Sequence, residues 1–124
     1  MKRMDIQFQV ADVKRPLLAV KRLVEKGNRA AFSSGENYIE NVNTGARLKM
    51  WEKGHGSYVL KVNFVGGGAA EITVDSAAEE SVCPKDWGAQ FGLKPADEWM
   101  KFANASGGVI PHYGQRLVKA EAGF

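Results

Sequence analysis

The stretch Glu71-Ile-Thr-Val-Asp-Ser-Ala-Ala-Glu-Glu-Ser-Val-Cys83 decides how the rest of the chain is read. Ile72 and Val74 alternate with polar neighbours, the period-two pattern of a short half-buried strand. The strand stops at Asp75-Ser76 and runs on into two small residues, Ala77 and Ala78. An acid at the end of an apolar strand, followed by a hydroxyl and two small side chains, suits a carboxylate held where another backbone or chain must come close. The plainer reading is a strand-ending Asp whose side-chain oxygens cap the following turn.

Upstream, Gly66-Gly-Gly68 is the only low-complexity run and reads as a flexible linker that forms no element. Before it, Ser57–Val65 alternates as a long strand, with Tyr58, Leu60, Val62 and Phe64 on one face. The runs Tyr38–Val42 and Ala46–Glu52 read as a hairpin around Asn43-Thr-Gly45, preceded by a short strand over 29–32. Residues 5–13 read as a strand with Ile6, Phe8 and Val10 on one face. Pro16 fits the first turn of a helix, Leu17, Leu18, Val20, Leu23 and Val24 give its apolar stripe, and Gly27 closes it. Downstream of Cys83 the pattern predicts a helix around Pro84–Phe91, a loop through Lys94–Asp97 and a strand over Met100–Asn104. A turn at Ala105–Gly108, a strand Val109–Ala120 broken by Pro111 and Gly114, and a loose tail from Glu121 complete the chain. Phe8-Gln-Val-Ala-Asp-Val13 and Ile72-Thr-Val-Asp-Ser76, each followed by a predicted helix, outline a weak repeat and a pseudo-twofold construction.

At 124 residues there is room for one core and one domain. The composition, 44% hydrophobic and 25% charged, is that of a soluble globular protein, and 14 glycines lean it toward many short elements, hence toward β. No apolar run reaches membrane-spanning length and Met1-Lys-Arg-Met-Asp5 lacks the apolar stretch of a signal peptide, so the expected location is the cytoplasm. A single cysteine, Cys83, excludes an internal disulfide and a cysteine-rich zinc site, and reads as a packing residue. His55 and His112 lack a paired carboxylate spacing, so no metal is expected. The net charge of +3 is mild and spread out; it is compatible with weak nucleic-acid contact without arguing for it, and no nucleic-acid partner is expected. Lys14-Arg15 and Lys21-Arg22 fit phosphate contacts and solvated faces equally well, and Trp51, Trp87 and Trp99 read as core or interface anchors rather than a base-stacking platform.

Val74-Asp-Ser-Ala-Ala-Glu-Glu-Ser-Val-Cys-Pro84 resembles the active-site loop of retropepsin-like aspartic proteases, which carries Asp-Ser/Thr-Gly-Ala after a short apolar strand. Lys101-Phe-Ala-Asn-Ala-Ser-Gly-Gly-Val-Ile-Pro-His-Tyr-Gly114 is similar to the flap hairpin of retrotransposon members. Phe8-Gln-Val-Ala-Asp-Val-Lys-Arg-Pro-Leu-Leu-Ala-Val20 resembles their second signature, a strand leading to two large apolar residues, a small residue and the C-terminal helix. These segments cover nearly the whole chain, in permuted order. Residues 1–65 resemble the family's C-terminal half, 69–124 its N-terminal half, and Gly66–Gly68 joins the usual ends. A circular permutant has this pattern; so does a fragment spanning two tandem copies that pair by exchanging halves.

The resemblance implies a mainly β acid-protease barrel with one C-terminal-type helix, one domain per chain. It also implies a homodimer that cleaves polypeptide, with Asp75 of each copy sharing a proton and activating a water, and no cofactor or metal. Ser76 would tie the two loops together, and Ala77 stands where the motif has Gly. Glu79 falls where the family holds substrate backbone, and Asn104, Ala105, Ser106, Gly107, Gly108 and Val109 form the expected flap tip. Ala19 also replaces a frequent Gly; either methyl would crowd the site, or strain the loop if its backbone needs a glycine conformation. The contrasting reading is a catalytically disabled protease-fold module for dimerisation or peptide binding, with a nucleic-acid-binding β-barrel third. Asp12 lacks the Ser/Thr-Gly partner of a second catalytic acid and reads as a turn acid.

Overall fold

The alternation seen around Ile72 and Val74 is one of several that pair into sheets in a computed structural model, which describes residues 2–33, 35–95 and 112–122. In chain order the elements are β1 (Lys2–Ala11), β2 (Leu17–Ala19), α1 (Val20–Glu25), β3 (Asn28–Phe32), β4 (Asn37–Asn41) and β5 (Arg47–Lys49). They continue with β6 (Trp51–Glu52), β7 (Tyr58–Phe64), β8 (Ala69–Asp75), β9 (Val82–Cys83), a 3-10 turn η1 (Ala89–Phe91) and β10 (His112–Ala122). The protein is mainly β, a single small domain with one α-helix among the described residues.

The larger sheet is mixed and runs β10-β1-β9-β2-β8-β7-β6, while β3, β4 and β5 form a separate antiparallel sheet. Because β10 pairs with β7 as well as with β1, six of the strands close into a ring. Two strand–loop–strand units interlock within it. β1 leads through residues 12–16 to β2, and β8 leads through 76–81 to β9. The second strand of each unit lies parallel to the first strand of the other: β2 along β8, and β9 along β1. Exchanging the two units leaves this pairing unchanged, which gives the weak repeat in the sequence a geometric counterpart.

Phe8, Val10, Leu18, Leu60, Ile72 and Val118 are buried together and form the centre of the core. Among the described residues one charge lies inside it. Arg116 pairs across the ladder with Phe8 and is only 4% exposed. Its guanidinium donates to the carbonyls of Gly92 (2.8 Å), Lys85 (3.1 Å) and Trp87 (2.6 Å). Those bonds offset the desolvation of the charge and hold the segment 84–92 against the ring. Trp87 of that segment meets Phe8 and Phe64 edge-on, at 5.1 and 5.2 Å between ring centroids.

Several boundaries differ from the sequence expectations. The predicted helix from Pro16 begins only at Val20, because Leu17–Ala19 is claimed by β8 as a parallel strand. The predicted helix over Pro84–Phe91 is a run of turns ending in η1; Gly88 takes a left-handed conformation (φ 66°) and Arg116 gathers the carbonyls. The strand expected over Ala46–Glu52 breaks at Met50, whose N–H turns to the Asn37 carbonyl, and Trp51-Glu52 passes to β7. Gly66–Gly68 is an ordered hairpin turn between β7 and β8, all three glycines at positive φ (96°, 118° and 101°). Glu121 and Ala122, expected to be loose, pair with Arg3 and Lys2. The strand expected over Met100–Asn104 lies outside the described residues. No helix among the described residues is long and apolar enough to cross a membrane.

Candidate active-site loop

Asp75 is the last residue of β8, and its neighbour on the parallel strand is Ala19 (Leu17↔Thr73, Leu18↔Val74, Ala19↔Asp75). Ala19 is fully buried in extended backbone (φ −76°, ψ 120°), so it needs no glycine conformation. The floor of the loop is built on Ser81, which is 2% exposed. Its hydroxyl accepts the Ala19 N–H at 3.0 Å and its carbonyl accepts the Gln9 N–H at 2.8 Å, so one small residue ties β1 and β2 to the return of the loop. A larger side chain would separate strands that are hydrogen-bonded through this position.

Above that floor Asp75 is half-buried, while Ser76 and Ala77 are exposed. Asp75 Oδ1 accepts the Ala77 N–H at 2.9 Å, so the capping role read from the sequence is present. Among the described residues His55 is the one non-glycine with positive φ, so Ala77 carries no left-handed strain. What Ala77 adds to a glycine is an exposed methyl beside the carboxylate.

The outer limb of the loop is fastened to α1. Lys21 Nζ donates to Glu79 at 2.6 Å, and Arg22 holds Glu80 through both Nε (3.1 Å) and Nη2. Arg22 also reaches Glu25 at 2.8 Å. The hydrogen bond from Lys21, and then its charge, hold the Glu79 carboxyl below its ordinary range. Lys21-Arg22 is therefore no idle solvated face. Two adjacent cations on a short helix answer two adjacent acids on the loop, and that matched pair of dipeptides was the signal available in the sequence.

The remaining sequence candidates are placed apart from the loop or lie beyond description. Asn104, Ala105, Ser106, Gly107, Gly108 and Val109, the expected flap tip, lie outside the described residues. Asp12 is exposed in the β1–β2 loop, as a turn acid is. Cys83 is buried, and burial pushes its thiol up to about 11, which suits a packing residue. His112 Nε2 lies 3.1 Å from Gln9 Oε1 and 3.0 Å from the Gly114 carbonyl. Among the described residues no three His, Cys, Asp or Glu side chains converge on a metal position. Ser81 and Arg116 went unnoticed in the sequence, since a lone Ser and a lone Arg in alternating strands carry no pattern of their own. No family model, curated protein or solved structure matches the chain.

Proposed function

We propose that the chain is a retropepsin-like aspartic endopeptidase of retroelement type, acting on polypeptide as a homodimer. The observation that carries this reading is Asp75 itself: a half-buried carboxylate at the end of β8, beside the buried Ala19 of a parallel strand, with exposed small residues next to it. One such carboxylate per chain does half of the chemistry. Two copies related by a twofold axis bring two together, and like charges that close hold one proton between them. The ionised oxygen takes a proton from a water placed between the carboxyls, and the protonated one donates to the scissile carbonyl as the water adds. The exposed Ser76 hydroxyl is free to bridge to the partner's loop. The ion pairs of Glu79 and Glu80 with α1 hold the loop still while this happens.

The closed ring supports the acid-protease barrel, and the strand ends support the permutation. Lys2 and Ala122 are paired neighbours in β1 and β10, so a short turn joining the ends would make a β10–β1 hairpin. Opening the chain at the glycine turn would then restore the family's order. The Ala77 methyl favours a second reading, a protease fold that binds peptide without cutting it.

The test is cleavage of a mixed peptide library at acidic and near-neutral pH by the parent, Asp75→Asn and Ala77→Gly. Cutting by the parent and not by Asp75→Asn is the expected result. Cutting by Ala77→Gly alone marks a disabled protease. Cutting that survives Asp75→Asn removes the dyad from consideration.

A further inference from the structure

A second concave surface lies on the sheet β3-β4-β5 and its junction with β6 and β7, on elements that do not contribute to the Asp75 loop. A concavity of about 470 Å³ is lined by Tyr38, Arg47, Lys49 and Trp51, with Glu36 and Glu52 among its other lining residues. Both aromatic rings are already met by cations. The Arg47 guanidinium stands 4.1 Å from the Tyr38 ring centre, and the ammonium groups of Lys49 and Lys61 stand 3.9 and 4.4 Å from that of Trp51.

The pairing explains why these groups meet. Tyr38 is directly opposite Lys49, and Glu40 directly opposite both Arg47 and Arg29, so all five share one face of the small sheet. Trp51 is opposite Val59 on β7, two residues from Lys61, which extends the same face onto the larger sheet. Glu40 bonds Arg29 and Arg47, both at short range (2.6 and 2.9 Å), and this anchors Arg47 over Tyr38. The two arginines share one acid. Among the described residues Lys49 and Lys61 make no ion pair, and Glu71, directly opposite Lys61, is held by Lys53 at 3.0 Å, so the two ammonium groups stand unneutralised beside the Trp51 ring. Trp51 is 40% exposed, so part of a large ring stays open to solvent on this face.

The part-exposed Trp51 ring with unneutralised ammonium groups beside it, and the half-buried Tyr38 in the same concavity, match a ligand that carries planar π-systems and negative charge at short, regular spacing. We propose that this face binds single-stranded nucleic acid, one base stacking on Trp51 and a second near Tyr38, with phosphates taken by Lys49 and Lys61. The small concavity admits splayed bases and not a duplex. Glu36 and Glu52 limit the attraction to a few phosphates, so binding is local and weakens steeply with salt. The overall charge averages away this cluster, which strand register assembles.

The experiment is fluorescence anisotropy of an end-labelled oligouridylate of about twelve nucleotides, against the parent chain over a range of salt. Trp51→Ala should weaken binding by roughly fivefold or more, and Trp51→Phe should restore most of it. The Lys49→Gln, Lys61→Gln double variant should lower the slope of log affinity against log salt by about 1.4, the value for two lost phosphate contacts on a single strand. Asp75→Asn should bind as the parent does, which separates this result from any outcome at the protease site. Absence of binding at low salt overturns the proposal. So does equal binding by Trp51→Ala, or competition by polyaspartate as effective as by unlabelled oligonucleotide.

Discussion

The bond from the Ala77 N–H to Asp75 fixes one carboxylate oxygen of the candidate acid, and leaves the residue half-buried at the end of its strand. A cap and a catalytic acid are compatible here, because a carboxylate has two oxygens. Two other residues are constrained more tightly than the sequence alone suggested. Gly114 sits in β10 at φ 141°, beside the register shift between Val10 and Ala11. A Cβ there would fall 2.2 Å from the Lys94 carbonyl, which accepts the Gln115 N–H in a reciprocal bridge. Gly114→Ala is expected to cost about 2 kcal/mol, through backbone strain and loss of that bridge, read as a lowered denaturant midpoint. An unchanged midpoint would mean that the bridge contributes little. Arg116→Leu keeps the apolar stem of the side chain but removes the donors of three carbonyls, and is expected to cost about 3 kcal/mol by the same measurement. The sequence flagged Gly114 only as an interruption in a strand; the approach of Lys94 that requires it comes from twenty residues away, and local pattern does not carry that.

At the scale of elements, alternation was legible and boundaries set by distant partners were not. β1, β7 and β8 show period-two patterns because one face of each meets the core, so all three are legible in the sequence. Leu17-Leu-Ala-Val20 is a continuous apolar run that fits a buried strand and a helix equally well, so only the parallel pairing with β8 decides that it is a strand. The Asp75 strand was legible for the first reason. The grip of α1 on its loop was not, since it joins residues about sixty apart. That grip has a pH signature. Glu79 is held below its ordinary value of 4.5, mainly by its bond to Lys21. The ion pair therefore contributes its full stabilisation above pH 4.5 and loses it as pH falls through the lowered value. Both side chains are more than half exposed, so the contribution is small. Glu79→Gln should be slightly less stable than the parent at pH 6, and the gap in urea midpoint should narrow as the pH is taken progressively below 4.5. A gap that stays constant across this range would assign the effect to something other than the ion pair.

At the scale of the whole molecule, the ring of six strands makes the positions of the chain ends matter less than the pairings. Lys2 and Ala122 are adjacent across the β1–β10 ladder, and Gly66–Gly68 closes a hairpin with bonds between Phe64 and both Gly67 and Gly68. A chain that begins at Ala69, runs to Phe124, continues through a short turn into Met1 and ends at Val65 is expected to reach the same fold. Its far-ultraviolet circular dichroism and its thermal midpoint should lie close to those of the parent; an unfolded product would show that the glycine turn is indispensable. Ring closure and the interlocked parallel pairs were beyond the sequence, since they rest on contacts among strands far apart in the chain. The outline of two strand–loop units was legible because each unit is local.

The claim that one Asp75 comes from each of two chains is tested most directly by mixing. Peptide cleavage by the active form, parent or Ala77→Gly, would be followed while Asp75→Asn protein is added in increasing excess, after time for subunits to exchange. Mixed dimers hold a single dyad acid, so cleavage per active chain should fall steadily toward zero. Cleavage that stays proportional to the active chain alone, indifferent to the added variant, would contradict a shared dyad.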